Sequence, residues 1–91
     1  MSYRIDKVEH LIKEEISLIF LHKLSNLNLG FITITNVRVS PDLKMAKIYL
    51  SVFDKEKREL VLDKIEDKKG YIRSELAHRI RIKFIPELKF F

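Results

Sequence analysis

The chain has no cysteine, which removes disulfides, thiolate metal sites and cysteine nucleophiles together and suits a reducing compartment. Glycine is nearly as scarce, with Gly30 and Gly70 the only two. A Gly-rich phosphate loop, a dinucleotide fingerprint and a GxxG clamp on a nucleic-acid backbone each need two or more glycines within a few residues. No apolar run approaches the roughly 18 residues of a membrane span. The stretch from Met1 to Glu15 is charged every few residues and lacks the apolar core of a signal peptide. A soluble, cytoplasmic protein with no membrane partner is expected. His10, His22 and His78 are widely separated, and neither Ser40 nor Ser51 has a histidine at a suggestive spacing. Without a zinc motif or a nucleophile elbow, neither an enzyme nor a metal or cofactor is expected.

What the chain does have is charge, unevenly placed. Its 91 residues are 46% hydrophobic and 34% charged, the balance of one folded domain spanning residues 1–91. A chain of this size buries roughly 60–68% of the surface exposed on unfolding. Residues 1–40 carry five Lys or Arg against four acids, and residues 41–67 carry six against seven. Residues 68–91 carry seven (Lys68, Lys69, Arg73, Arg79, Arg81, Lys83, Lys89) against Glu75 and Glu87. The last quarter therefore holds the net +5 of the whole chain. A one-sided field of this kind attracts polyanions, and these cations are expected to form one continuous surface.

Ile5, Val8, Leu11, Ile12, Ile16, Ile19 and Phe20 recur at three- and four-residue steps, which predicts an amphipathic helix over residues 4–23. Ser2 is a plausible N-cap. Two strands, 31–40 and 45–53, flank the turn Pro41-Asp42-Leu43-Lys44 and should pair antiparallel. In the second, Ala46, Ile48, Leu50 and Val52 alternate with Lys47, Tyr49 and Ser51. The first breaks phase, since Ile34 is even and Val37 and Val39 are odd. Either both of its faces are partly covered or a bulge near Thr35-Asn36 shifts the phase, and the bulge is preferred. Asp54 would cap a second helix over 55–68, with Leu60, Val61 and Ile65 facing the core. Gly70 reads as a kink. A third helix over 71–81 would bury Ile72, Leu76 and Ile80. The segment 83–91 is extended, with pairing expected after Pro86, which lacks an amide donor.

The order helix-strand-strand-helix-kink-helix-strand predicts an α+β fold of KH-like type II, with helices on one face of a three-stranded mixed sheet. The last strand, returning through a helical crossover, is expected parallel to the first. The stretch Val37-Arg38-Val39-Ser40-Pro41-Asp42-Leu43-Lys44-Met45-Ala46-Lys47-Ile48-Tyr49-Leu50-Ser51-Val52 resembles the hairpin signature of the ribosome-binding factor A family. A second block is similar to that family's C-terminal half: Gly70-Tyr71-Ile72-Arg73, Leu76-Ala77, Ile80, Ile82 and Pro86-Glu87-Leu88-Lys89-Phe90. The resemblance implies a KH-like fold and binding to small-subunit (30S, 16S) rRNA. It further implies a part in late subunit maturation and in growth in the cold. In that family an alanine-x-glycine kink stands in for the GxxG loop, whereas this chain has Lys68-Lys69-Gly70. The family's last strand runs into a C-terminal extension near the position of Phe91, so this chain is either a short member or a shortened one.

The candidate RNA contacts follow from charge and position. Lys68, Lys69 and Gly70 would sit where helix-terminal amides can receive phosphate oxygens. Arg73 and Arg79 would flank the buried stripe of the third helix, with His78 and Arg81 on its outward half and Lys83 beyond. Lys44 in the turn and Lys47 on the second strand complete the set. The plain readings are solvated lysines, basic residues answering the helix dipole, and an exposed strand tyrosine, Tyr49, serving cross-strand packing. Ser40-Pro41-Asp42 is expected to be structural, with Asp42 closing the turn. The expected partner is the free, immature 30S subunit, with an assembly GTPase as a further candidate. No coiled-coil seam argues for dimerisation, so a monomer is expected. The rival class is a protein-interaction module whose basic face meets an acidic partner.

Overall fold

A computed structural model describes residues 2–82 and 84–91, with backbone alone for residues 2 and 3. The first element, helix α1, spans Ser2–Lys23. It contains neither glycine nor proline, and Ile12, Ile16 and Ile19 are fully buried with Phe20 beside them. The Ser2 side chain, a proposed cap, lies outside the described residues. His22 and Lys23 stand in the last turn, where cations answer the dipole. A 3-10 turn, Ser25–Leu27, follows, and Asn28 at φ 54° and Gly30 at φ 74° reverse the chain toward the sheet. The left-handed region is one that glycine enters without a Cβ penalty.

Strands β1 (Ile32–Val39) and β2 (Met45–Val52) form the expected antiparallel hairpin. Ile34 pairs with Leu50 but Asn36 pairs with Tyr49, so Thr35 is the extra residue of a bulge. Its hydroxyl donates to the Tyr49 carbonyl at 3.2 Å. The bulge is what allows Ile34, Val37 and Val39 all to be buried despite their mixed parity. The turn is held by side chains: Asp42 Oδ1 accepts from the Ser40 hydroxyl at 2.6 Å and from the Lys44 amide at 3.1 Å. Ser40 Oγ accepts from the Met45 amide at 3.0 Å. These bonds, the Ser40 hydroxyl foremost, hold the Asp42 carboxyl below the ordinary aspartate range. Leu43 takes φ 62° within this turn.

Asp54 caps the next segment by accepting from the Glu56 amide at 3.2 Å. Its first turn, Lys55–Lys57, is 3-10, and helix α2 runs Arg58–Asp67. Leu60, expected in the core, is 54% exposed, because it stands about 100° from Val61 and about 140° from Ile65 around the helix; those two are buried, and Leu62 packs against the same cluster. The kink also moves. Lys68, at φ −103° and ψ 10°, separates α2 from helix α3, Lys69–Arg79. Gly70 lies inside the first turn of α3, and a Cβ added there would meet nothing within 4 Å. Ile72 and Leu76 are buried on α3, and Ile80 is buried just past its end.

Strand β3, Glu87–Phe90, begins after Pro86 as expected and pairs with β2, so the sheet order is β1-β2-β3. It runs parallel to β2 and therefore antiparallel to β1, correcting the expected orientation. The reason is connectivity: a helical crossover makes its two flanking strands parallel, and the strand entering this crossover is β2. All buried sheet residues (Ile34, Val37, Val39, Ala46, Ile48, Leu50, Val52, Leu88) join one cluster with the inward residues of the helices. The helices therefore cover one face. The other, carrying Arg38, Lys47, Tyr49 and Lys89, is open.

Candidate nucleic-acid interface

The expected helix-side cations differ in what already holds them. Lys68 is exposed at the α2–α3 junction. Lys69 is half-buried and pairs with Glu66 at 2.7 Å. Arg73 donates from Nη2 to the Ile85 carbonyl at 2.6 Å and from Nε to the Pro86 carbonyl at 3.3 Å. It thus fastens the irregular approach to β3 onto α3. Carbonyls are neutral, so Arg73 keeps its charge but has fewer free donors. Arg79 turns the other way and meets Glu15 of α1 at 3.4 Å, both side chains being largely covered. Its Nε is buried without a partner. His78 and Arg81 are exposed and engage no other side chain among the described residues. Lys83 lies outside the described residues.

The described C-terminal cations therefore do not make one continuous surface. Lys69 and Arg79 are matched to carboxylates, Arg73 and Arg79 leave α3 on opposite flanks, and Lys89 lies across the sheet. The start of α3 moves as well. With the junction at Lys68, the amides at its N-terminus are those of Lys69, Gly70 and Tyr71, two residues earlier than for a helix that starts after Gly70.

Two groupings emerge in its place. Lys44 and Arg73 line a cavity of about 730 Å³ with Arg4, whose apolar wall includes Val8, Ile82 and Ile85. Asp42 and Glu87 also border it, so its charge is nearly balanced. On the open sheet face, Lys47 stands opposite Arg38 on one side and opposite Lys89 on the other. Arg38 was not singled out from the sequence, and Lys89 was counted with the C-terminal cations but not among the RNA contacts. Arg38 was within reach, because a hairpin turning at Pro41–Lys44 sets it across from Lys47; the partner of Lys89 depended on the unread β2–β3 register. Tyr49 stacks on Phe91 with ring centroids 5.4 Å apart and planes 24° from parallel.

Among the described residues no three His, Asp or Glu side chains gather as a metal site, and no helix is long and apolar enough to cross a membrane. His10 pairs with Glu14 at 3.2 Å on the exposed side of α1.

Three helices on one face of a three-stranded mixed sheet, with exposed cations at the helix junction and on the open face, define a small KH-like α+β domain. Comparison with known proteins makes this specific. The family model for ribosome-binding factor A matches residues 4–91. Ribosome-binding factor A of Thermodesulfovibrio yellowstonii is 47% identical over 87 residues, covering 96% of this chain and 74% of the relative. The chain belongs to the ribosome-binding factor A family. The crystal structure of ribosome-binding factor A from Thermus thermophilus superposes with a TM-score of 0.84 at 24% identity, over 96% of this chain and 93% of that one. A homology model of the Thermus thermophilus factor, fitted into a cryo-EM map of a 30S complex, gives 0.77 at 24% identity, over 92% and 89%. These two likenesses concern the fold.

Proposed function

We propose that this chain binds the small (30S) ribosomal subunit through its 16S rRNA and assists late maturation of that subunit, including growth in the cold. It acts by binding, without a cofactor, as a cytoplasmic monomer, with an assembly GTPase as a candidate partner. The observation that carries this is family membership over residues 4–91. The fitted 30S complex of the Thermus thermophilus factor supports it from a protein of the same fold. So does the charge of the chain, +5 with a sequence pI near 9.6, because a cationic surface answers a polyphosphate partner.

In mechanism, exposed Lys44, Lys47, Lys68, His78 and Arg81 are available to phosphates. Lys69, Arg73 and Arg79 contribute to the field while holding the scaffold. Binding energy then favours one rRNA conformation over its alternatives. Neutralising about five phosphates gives a log–log salt slope of roughly −3.5 for single-stranded RNA.

The test is sedimentation of the tagged protein with subunits from cells. Co-migration with free small subunits, and not with translating ribosomes, is expected; migration only at the top of the gradient would count against it. Lys68→Glu combined with Arg81→Glu is the informative charge reversal, since neither side chain supports another part of the fold. It should weaken co-migration without lowering the melting temperature.

A further inference from the structure

We infer that the open face of the sheet is a second binding surface, one that takes single-stranded RNA, with bases on Tyr49 and Phe91 and phosphates on Arg38, Lys47 and Lys89. The inference deepens the RNA-binding reading above and rests on it.

The first observation is a row of like charges. Arg38 pairs with Lys47, and Lys47 with Lys89, in consecutive strands. Adjacent strands lie roughly 4.8 Å apart, so the row crosses the sheet in about 10 Å. All three residues are exposed, and none engages in an ion pair or side-chain hydrogen bond among the described residues. Like charges directly opposite one another weaken a sheet, whereas opposite charges would strengthen it. A row that opposes stability in this way, with no acid set into it, is complementary to a polyanion.

The neighbouring row supplies the second observation. Tyr49 is two residues on from Lys47, and Phe91 two on from Lys89. The Phe91 backbone is fixed beside β2, its amide donating to the Ile48 carbonyl at 2.9 Å and its carbonyl accepting from the Leu50 amide at 3.1 Å. The stack of the two rings leaves Tyr49 36% and Phe91 41% exposed. The pair contributes to cross-strand packing, and rings held side by side on a water-facing surface also offer π-faces to unstacked bases. Asn36 lies opposite Tyr49; its Oδ1 accepts from the Val37 amide at 2.9 Å, so only its NH2 group is left to donate to a base edge. Beyond it Thr33 pairs with Ser51, and these short side chains leave the rings unobstructed.

The carboxylates near this face do not cancel the row. Glu87 is opposite Met45, one row beyond the cations. Asp42 is turned into its own loop by Ser40 and Lys44. A basic row beside an aromatic row suits a strand whose backbone and bases lie side by side. Duplex RNA keeps its bases stacked inside and could use only the cations.

The test is binding of the full chain to a fluorescent oligouridine at several salt concentrations, beside duplex RNA and oligodeoxythymidine of equal length. Replacing Arg38, Lys47 and Lys89 together by alanine should reduce the magnitude of the log–log salt slope by about two, the value for three phosphates on a single strand. Tyr49→Leu should weaken binding about tenfold at unchanged slope, and Tyr49→Phe should restore it. Thermal melting of each variant separates lost packing from lost stacking, and the Tyr49→Phe rescue shows that the ring and not the hydroxyl is required. If the charge variant and Tyr49→Leu bind as the wild type does while the wild type still co-migrates with small subunits, the open face is not the surface and the wider reading stands. Equal or tighter binding of the duplex or of the DNA would overturn the assignment to single-stranded RNA. A wild type that neither binds RNA nor co-migrates would remove both readings.

Discussion

The cations of the helical layer and those of the open sheet face differ in how far the fold already uses them. Around α3, Arg73 holds two backbone carbonyls, Arg79 meets Glu15 and Lys69 meets Glu66. Across the sheet, Arg38, Lys47 and Lys89 stand in a row with no such partner among the described residues. The clustering of charge in sequence pointed to α3, yet sequence density does not distinguish a charge that fastens the fold from one available to a ligand. Only the partners of each side chain do so, and they shift attention to the opposite face.

The comparison sharpens first at the two sides of β2. Ile48 is fully buried at the centre of the sheet, and its neighbour Lys47 faces water. Ile48→Ala should lower unfolding free energy by about 2–5 kcal/mol, from lost burial and the cavity left behind. Lys47→Ala should change it by less than about 0.5 kcal/mol. Urea denaturation measures both, and a destabilising Lys47→Ala would show that the open-face row is structural after all.

A smaller effect is expected at Arg73. Removing its two bonds with Arg73→Ala should cost about 1–2 kcal/mol and loosen the approach to β3, seen as faster hydrogen exchange at the Glu87 amide, which donates to the Lys44 carbonyl at 2.9 Å. Lys68→Ala should do neither. Equal stability of the two variants would end the distinction between engaged and available cations.

Smaller again is the pair that joins α1 to α3. A double-mutant cycle on Glu15 and Arg79 should give a coupling of about 0.5–1 kcal/mol that shrinks as salt is added. A coupling of zero would return Arg79 to the cations available for RNA.

The smallest expected effect concerns the hairpin turn and pH. Asp42 has a folded-state pKa below its ordinary value, so its charged form favours folding. That contribution is present at neutral pH and is lost as pH falls through the depressed value. Asp42→Asn should flatten the acid limb of the melting-temperature profile slightly and leave the rest of the curve parallel. An Asp42 that titrates at the ordinary aspartate value by NMR would contradict it.

Much of the fold was legible because local chemistry and tertiary packing agree. The alternation of Ala46, Ile48, Leu50 and Val52 marked β2, and the parity change between Ile34 and Val37 marked the bulge. Pro86, lacking an amide donor, marked where β3 begins to pair. Asp42 and Asp54 declared their turn and cap through side-chain oxygens that reach a nearby amide. Elsewhere local chemistry was not enough. Gly70 looked like the break between helices, but the chain turns at Lys68, a residue with no special backbone freedom. Leu60 faces water because it stands about 100° and 140° around the helix from Val61 and Ile65, an angle that apolar character alone does not weigh. The site was less legible than the fold. Arg73 finds acceptors 12 and 13 residues away in an irregular segment, and Arg79 finds Glu15 at a separation of 64. The Arg38–Lys47–Lys89 row needed both strand registers at once.

Ultraviolet crosslinking of the chain to purified small subunits, followed by mass spectrometry of the linked peptides, tests the central claim most directly. Tyr49 on the open sheet face and Tyr71 on α3 are both exposed, so each side of the molecule carries its own reporter. Attachment of rRNA nucleotides at Tyr49 or Phe91 is the predicted result. Crosslinks confined to the peptide containing Tyr71 would contradict the account and place the RNA on the helices instead.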